Sequence, residues 1–238
     1  MFSLQEAIAP LHPLVRAVPP ELRAPVLKRV FYAPEHRFIY FRVPKSANST
    51  VVMSLATAMG TAPRDHGGAG AKRAGNAVLR LALRLPAKLA ECYKFTFVRD
   101  PYARALSAYL DKIATGNPEF LGIIGGMIGR QGRSLSFADF LHRLDDGYLT
   151  ANIHWAPQAD VIALPPARLD FVGRVETLEP DLARVMDRIF GPAGHRMVRR
   201  TEGVRSASRR LADFYGSAER RLVRKLYARD FELFYPEA

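Results

Sequence analysis

The sequence predicts an α/β fold: a central parallel sheet flanked by helices, with a helical C-terminal part. Three observations carry this. The runs RFIYFRV (37–43), KFTFV (94–98) and DFVG (170–173) are rich in β-branched and aromatic residues and read as strands. Each is followed by a stretch of helical character, and alternating strands and helices are the chain order of a parallel sheet. Between the first strand and its helix lies KSANST (45–50), a turn of small and hydroxylated residues behind one lysine.

The elements follow in order. Residues 1–36 are punctuated by proline and predict one or two short helices packing on a domain that spans 37–238. Pro44 ends the first strand because it has no N–H for the ladder. Thr50 to Met59 is mostly apolar and is followed by Gly60, the pattern of a buried helix with a C-terminal stop. Residues 60–90 are rich in Gly and Ala and basic; they predict a loop and then a short amphipathic helix over 77–85. After the second strand a helix is expected over Tyr102–Ala114, stopped by Gly116 and Pro118, and residues 121–134 read as a partly apolar loop. Ser136 with Asp139 has the spacing of a capping box for a helix over Phe137–Leu144. The third strand precedes a helix over Pro180–Phe190, and two more helices, near Ser208–Tyr215 and Ala218–Arg229, close the chain. There is no internal repeat.

Composition narrows the function classes. The 238 residues include 48% hydrophobic ones, enough for a real core. No apolar run reaches the length of a membrane span, and the N-terminus lacks a basic start followed by a long apolar stretch. These features predict a cytoplasmic protein. A single cysteine, Cys92, excludes an internal disulfide and a cysteine-based zinc site. The formal net charge is +12, and from Arg196 to Arg229 eleven basic residues stand against three acidic ones. Such a stretch attracts polyanions: nucleic acid, anionic lipid, acidic glycan or nucleotide. A solvated helix face explains the same charges.

The turn at 45–50 has the chemistry of a phosphate cradle. Small side chains let backbone N–H groups approach an anion, and the following helix N-terminus favours negative charge. Lys45 adds a full charge, Ser49 and Thr50 add hydroxyl donors, and Asn48 is the residue expected to take a positive φ. An ordinary hydroxyl N-cap with a solvated lysine is the plainer explanation. The turn is not a Walker A loop, which places lysine immediately before Ser or Thr and is rich in glycine. A second motif, KFTFVRDPYARALSAY (94–109), repeats the architecture: Arg99 ends a strand, Pro101 opens a helix, and Arg104 and Ser107 follow within it. Ligands of open parallel sheets bind beyond the carboxyl ends of the strands. Two cationic motifs at two such ends suit a ligand with two separated phosphates.

VPKSANST and FVRDPYARALSAY resemble the two nucleotide-binding motifs of the Golgi-type carbohydrate sulfotransferases, the group with the chondroitin, dermatan and HNK-1 enzymes and bacterial relatives. HWAPQ (154–158), FVGRVETLEPDL (171–182) and YARDFELFYP (227–236) follow in the family's order, so the resemblance runs from about residue 36 to the end. It implies a P-loop-like fold and transfer of a sulfuryl group from 3′-phosphoadenosine 5′-phosphosulfate (PAPS) to a carbohydrate or glycolipid hydroxyl, releasing PAP, without a metal. Carried onto this chain, Lys45, Ser46, Ala47, Asn48, Ser49 and Thr50 hold the 5′ end of the donor, and Arg99 and Ser107 hold the 3′-phosphate. Ala47-Asn48 departs from the glycine common in the family at this turn.

The implied reaction is in-line and rests on positioning and charge stabilisation, with Lys45 at the leaving phosphate oxygen. A general base must take the acceptor's proton. His154 is the first candidate, beside Trp155 as an aromatic platform for a sugar ring, although a partly buried structural histidine beside a core tryptophan explains the same pair; His66, between the nucleotide motifs, is the second. Asp100 and Glu176 are assigned to capping and orientation. The acceptor is expected to be acidic if the basic C-terminal stretch faces it; the same stretch could touch an anionic membrane. Two other classes compete: a kinase or NTPase, for which no strand-end magnesium carboxylate is evident, and a nucleic-acid-binding protein, which leaves both strand-end motifs unexplained. No specific nucleic acid is expected.

Overall fold

The computed structural model describes residues 12–61, 89–124, 135–192, 198 and 206–237. The expected helix over 77–85, most of the expected loop over 121–134, and His66 lie outside them. In chain order the helices and strands are α1 (Pro20–Leu27), β1 (Val30–Ala33), β2 (Phe38–Phe41), α2 (Asn48–Ala58), β3 (Tyr93–Val98), α3 (Pro101–Ala108), α4 (Pro118–Ile123), α5 (Phe137–Arg143) and α6 (Gln158–Val161). They continue with β4 (Phe171–Arg174), α7 (Leu178–Phe190), α8 (Ser206–Arg209), α9 (Leu211–Phe214), α10 (Ser217–Leu226) and α11 (Ala228–Phe234). The chain divides into two compact units, residues 1–98 with 162–201, and residues 99–161 with 202–238.

The first unit is built on the sheet, in the order β1-β2-β3-β4. β2, β3 and β4 run parallel, with Phe41 opposite Thr96 and Phe97 opposite Gly173. β1 is antiparallel to β2 and pairs Val30 with Phe41. The sheet is therefore mixed, where the sequence predicts a parallel one, because Val30-Phe31-Tyr32 forms an edge strand inside the segment expected to be helical. Those three residues carry the β-branched and aromatic signature, obscured by Pro25 and Pro34 on either side.

Alternation puts Phe38 and Tyr40 on the same face of the sheet as Phe95 and Phe97, all fully buried. Val51, Val52 and Leu55 of α2 and Leu182, Val185 and Met186 of α7 close over that face. The Tyr40 and Phe95 rings stack, with centroids 5.0 Å apart and planes within 5°. Both helices bury apolar residues at helical spacing against one layer, which accounts for their positions beside the sheet. Gly173 makes the closest approach in this packing: a Cβ there would lie 2.4 Å from the Phe97 ring. Phe97 is itself fully buried in the core. Gly173→Ala is therefore expected to lower stability by about 1–3 kcal/mol, the scale of overpacking, read as a fall in denaturation midpoint.

The second unit is helical. α5 starts at a capping box: Ser136 Oγ accepts from Asp139 N at 3.1 Å, and the Asp139 carboxylate accepts from Ser136 N at 3.3 Å. An aromatic cluster of Tyr109, Phe137, Phe140, Phe214 and Tyr215 fills the space among α3, α5 and the C-terminal helices. α3 is regular to Ala108 and then widens into a π-turn over Tyr109–Ile113. The helical run ends at Ile113, before Gly116 (φ 69°), as expected. Pro118 then opens α4, which reaches into the expected loop, with Asn117 Oδ1 accepting from Glu119 N at 3.0 Å; proline suits a first helical turn as well as a stop. The helix expected over Ala218–Arg229 breaks at Tyr227, whose buried hydroxyl donates to Trp155 O at 2.7 Å.

Candidate functional site

The turn after β2 is tight. Val43 is fully buried, Ser46 N donates to Val43 O at 3.4 Å, and α2 begins at Asn48. Lys45 (φ 69°) and Ala47 (φ 52°) both stand in the left-handed region. The expectation that Asn48 would take the positive φ is overturned, because Asn48 already belongs to the first helical turn. A non-glycine residue pays about 1–2 kcal/mol for that conformation. Two such residues flank Ser46 in this turn, and left-handed residues within a turn are one element of the backbone nests that bind anions. Ala47 is the N-cap and offers no side-chain oxygen to the first turn of α2. Ser46 and Thr50 are buried, while Lys45, Asn48 and Ser49 are half-buried. All six residues that the sequence assigns to the 5′ end are thus placed together.

Asn48 is tied back to the strand: its Oδ1 accepts from Arg42 Nε at 2.9 Å. Lower in α2, Ser54 is fully buried and its Oγ accepts from Val198 N at 3.0 Å. Sequence reasoning passed over Arg42, which lies two residues before the proline and looked like an ordinary strand residue.

In the second unit, Arg99 is 2% exposed and heavily framed. The amide of Gln158 grips its backbone twice: Arg99 N donates to Oε1, and Nε2 donates to Arg99 O, both at 2.8 Å. Gln158 is in turn held by Asp230, whose two carboxylate oxygens accept from Gln158 N and Ala159 N at 2.8 Å each. Burial pushes the Asp230 carboxyl up; Arg104 and the two backbone N–H groups pull it back. Arg99 Nη2 donates to Ser208 Oγ at 3.0 Å. Asp100 caps α3, accepting from Ala103 N at 2.8 Å, the role the sequence assigned to it. Ser107 is buried in the second turn of α3. Arg104, one turn earlier, donates to Ala156 O at 2.7 Å and to Ile153 O at 3.4 Å, and so fixes the HWAPQ segment. Gln158, Asp230 and Ser208 were missed as parts of the Arg99 environment; only the tertiary fold joins positions 59, 131 and 109 residues from Arg99, although Gln158 and Asp230 sit in quoted motifs.

His154 is half-buried, edge-on to Phe120 with centroids 5.6 Å apart. Asn152 Oδ1 accepts from His154 N at 3.0 Å and lies 2.8 Å from His154 Nδ1. The backbone donor identifies that atom as the oxygen, so Nδ1 carries the proton in the neutral ring and Nε2 keeps its lone pair. Trp155 takes the second of its two readings, the core tryptophan. It is fully buried and its Nε1 donates to Tyr148 O at 2.9 Å, so its faces meet protein and it is no platform for a sugar.

Part of the basic C-terminal stretch is engaged internally. Arg220 lies over the Tyr102 and Tyr215 rings, and Arg224 over Phe231 at 4.5 Å from the centroid. Lys225 and Arg229 pair with Asp145 and Asp160, each at 2.7 Å. No helix among the described residues is long and apolar enough to cross a membrane.

The Sulfotransferase family model matches residues 28–236. The chain is 30% identical over 240 residues to human carbohydrate sulfotransferase 14, covering 90% of this chain and 62% of that protein. The zebrafish (Danio rerio) protein of the same name is 28% identical over 253 residues, covering 93% of this chain and 66% of its own length. Mouse carbohydrate sulfotransferase 10 is 27% identical over 247 residues, covering 88% and 67%. The chain spans a little under two thirds of the carbohydrate sulfotransferase 14 proteins it matches. No solved structure matches it.

Proposed function

Because the chain belongs to the Sulfotransferase family, we propose that it moves a sulfuryl group from PAPS to a hydroxyl of a carbohydrate or glycolipid acceptor. The observation that carries this is the turn at 45–50: two strained non-glycine residues, a lysine and a helix N-terminus with no side-chain cap, all at the carboxyl end of a strand. Strain of this kind persists where function uses it. The family matched and the carbohydrate sulfotransferases among its relatives supply the sulfuryl chemistry and the acceptor class.

In this reading Lys45, the backbone from Ser46 to Thr50 and the hydroxyls of Ser49 and Thr50 hold the 5′-phosphosulfate. Lys45 offsets the charge that grows on the leaving phosphate oxygen as the sulfur–oxygen bond breaks. Arg99 and Ser107 hold the 3′-phosphate, with the Gln158 amide and the Asp230 carboxylate fixing the Arg99 backbone. His154 takes the acceptor proton on Nε2, since Nδ1 is committed to Asn152. His66 is the other candidate for that step.

Two measurements test the reading. Calorimetry should show that the protein binds PAP more tightly than 5′-AMP and more tightly than magnesium-ATP; preference for magnesium-ATP would point to phosphoryl chemistry instead. His154→Ala should lower kcat by about 10²–10⁴, the contribution of a positioned base, with the affinity for PAP nearly unchanged. A histidine base acts only when neutral, so the wild-type rate should fall in acid and the variant should lose that limb. A severe loss in His66→Ala beside a mild one in His154→Ala would move the base to residue 66.

A further inference from the structure

Arg42 is 7% exposed, and among the described residues no carboxylate pairs with it. Its Nε donates to Asn48 Oδ1 at 2.9 Å, while its Nη1 is buried without a hydrogen-bond partner. Tyr40, two residues back in β2, has a buried hydroxyl that also lacks one. A second arginine is near: Arg29, whose backbone carbonyl accepts from Arg42 N at 3.2 Å and whose guanidinium is pulled down to about 10 by burial and by repulsion from Arg42.

Physical chemistry disfavours this arrangement unless an anion completes it. A buried guanidinium is costly without a counter-charge, and the side chain it reaches is a neutral amide. A carboxylate at position 48 would form a charge-assisted bond with Arg42 and would also suit the first turn of a helix. The protein instead keeps a positive charge uncompensated at the N-terminus of α2, an eleven-residue helix, next to the strained turn.

We propose that Arg42 is a positioning residue of the 5′ anion site: it holds Asn48 and with it the turn at Lys45 and Ala47, and its fixed charge, left unneutralised, is completed by the bound 5′-phosphosulfate. This rests on the donor assignment above. It adds a cation that neither strand-end motif contains, and it explains why residue 48 is an amide.

The decisive variant is Asn48→Asp. A purely structural Arg42 gains an ion pair, so the fold holds or tightens and ligand binding is untouched. In the proposed role the new carboxylate cancels Arg42 and repels the donor. The expected result is a thermal midpoint no lower than wild type, PAP affinity reduced by about tenfold or more, the scale of a lost close charge contact, and nearly unchanged affinity for 3′-AMP, which lacks the 5′-phosphate. Arg42→Met should produce the same selective loss whether or not its midpoint falls. PAP binding by Asn48→Asp equal to wild type, or an equal loss for 3′-AMP, overturns the inference and leaves the donor assignment standing. A wild-type protein that binds no PAP overturns both.

Discussion

Lys45→Ala is expected to abolish transfer and to leave the fold intact. Lys45 is half-buried in a turn and contributes little to the core built by Phe38, Tyr40, Phe95 and Phe97. Its φ of 69° is a strained value for any side chain, and alanine tolerates that region no worse than lysine, so the backbone has no new reason to move. In the proposed role, the substitution removes a full positive charge beside the atom that becomes negative as the sulfuryl group departs. Such stabilisation in a water-poor site is worth about 2.7–4 kcal/mol for one donor, or a fall of roughly 10²–10³ in kcat. Circular dichroism and the thermal midpoint should match wild type. Retention of more than about a tenth of the wild-type turnover would remove Lys45 from the mechanism.

Arg99→Ala should be nearly as severe, and selective. The Arg99 backbone is held by Gln158 and its side chain reaches Ser208, so truncation leaves the main-chain frame in place and removes only the guanidinium. Affinity for PAP should weaken by about 2–4 kcal/mol, the scale for truncating a buried charged partner, while affinity for 5′-AMP changes much less. Calorimetry with both ligands separates the outcomes. Equal losses would show that Arg99 supports the unit as a whole and does not read the 3′-phosphate.

Much of this was legible in the sequence. Three strands of the sheet, the helix after the cradle and the Ser136–Asp139 capping box were foreseen from periodicity and local chemistry, because each is decided by residues a few positions apart. β1 was hidden by its prolines, and the end of the long C-terminal helix by a tertiary bond from Tyr227. The conformation of the cradle differs from the expectation: propensity favours Asn in the left-handed region, but Asn48 is claimed by Arg42 and by α2, and Lys45 and Ala47 take the strain. Whether Trp155 is a sugar platform or a core residue stays open in the sequence, which carries no burial; the fold buries it. The Gln158–Asp230 frame around Arg99 depends on contacts over long sequence separations, which no local pattern encodes, and the charge state of Arg42 depends on a burial that the sequence does not carry.

The most direct test of the central claim is transfer itself. Incubated with sulfur-labelled PAPS and a pool of glycans and glycolipids, the wild-type protein should move label to an acceptor and release PAP, while Lys45→Ala and Arg99→Ala should not. Contradiction would be a wild-type protein that binds PAP yet transfers no label to any carbohydrate, or variants that transfer as well as wild type.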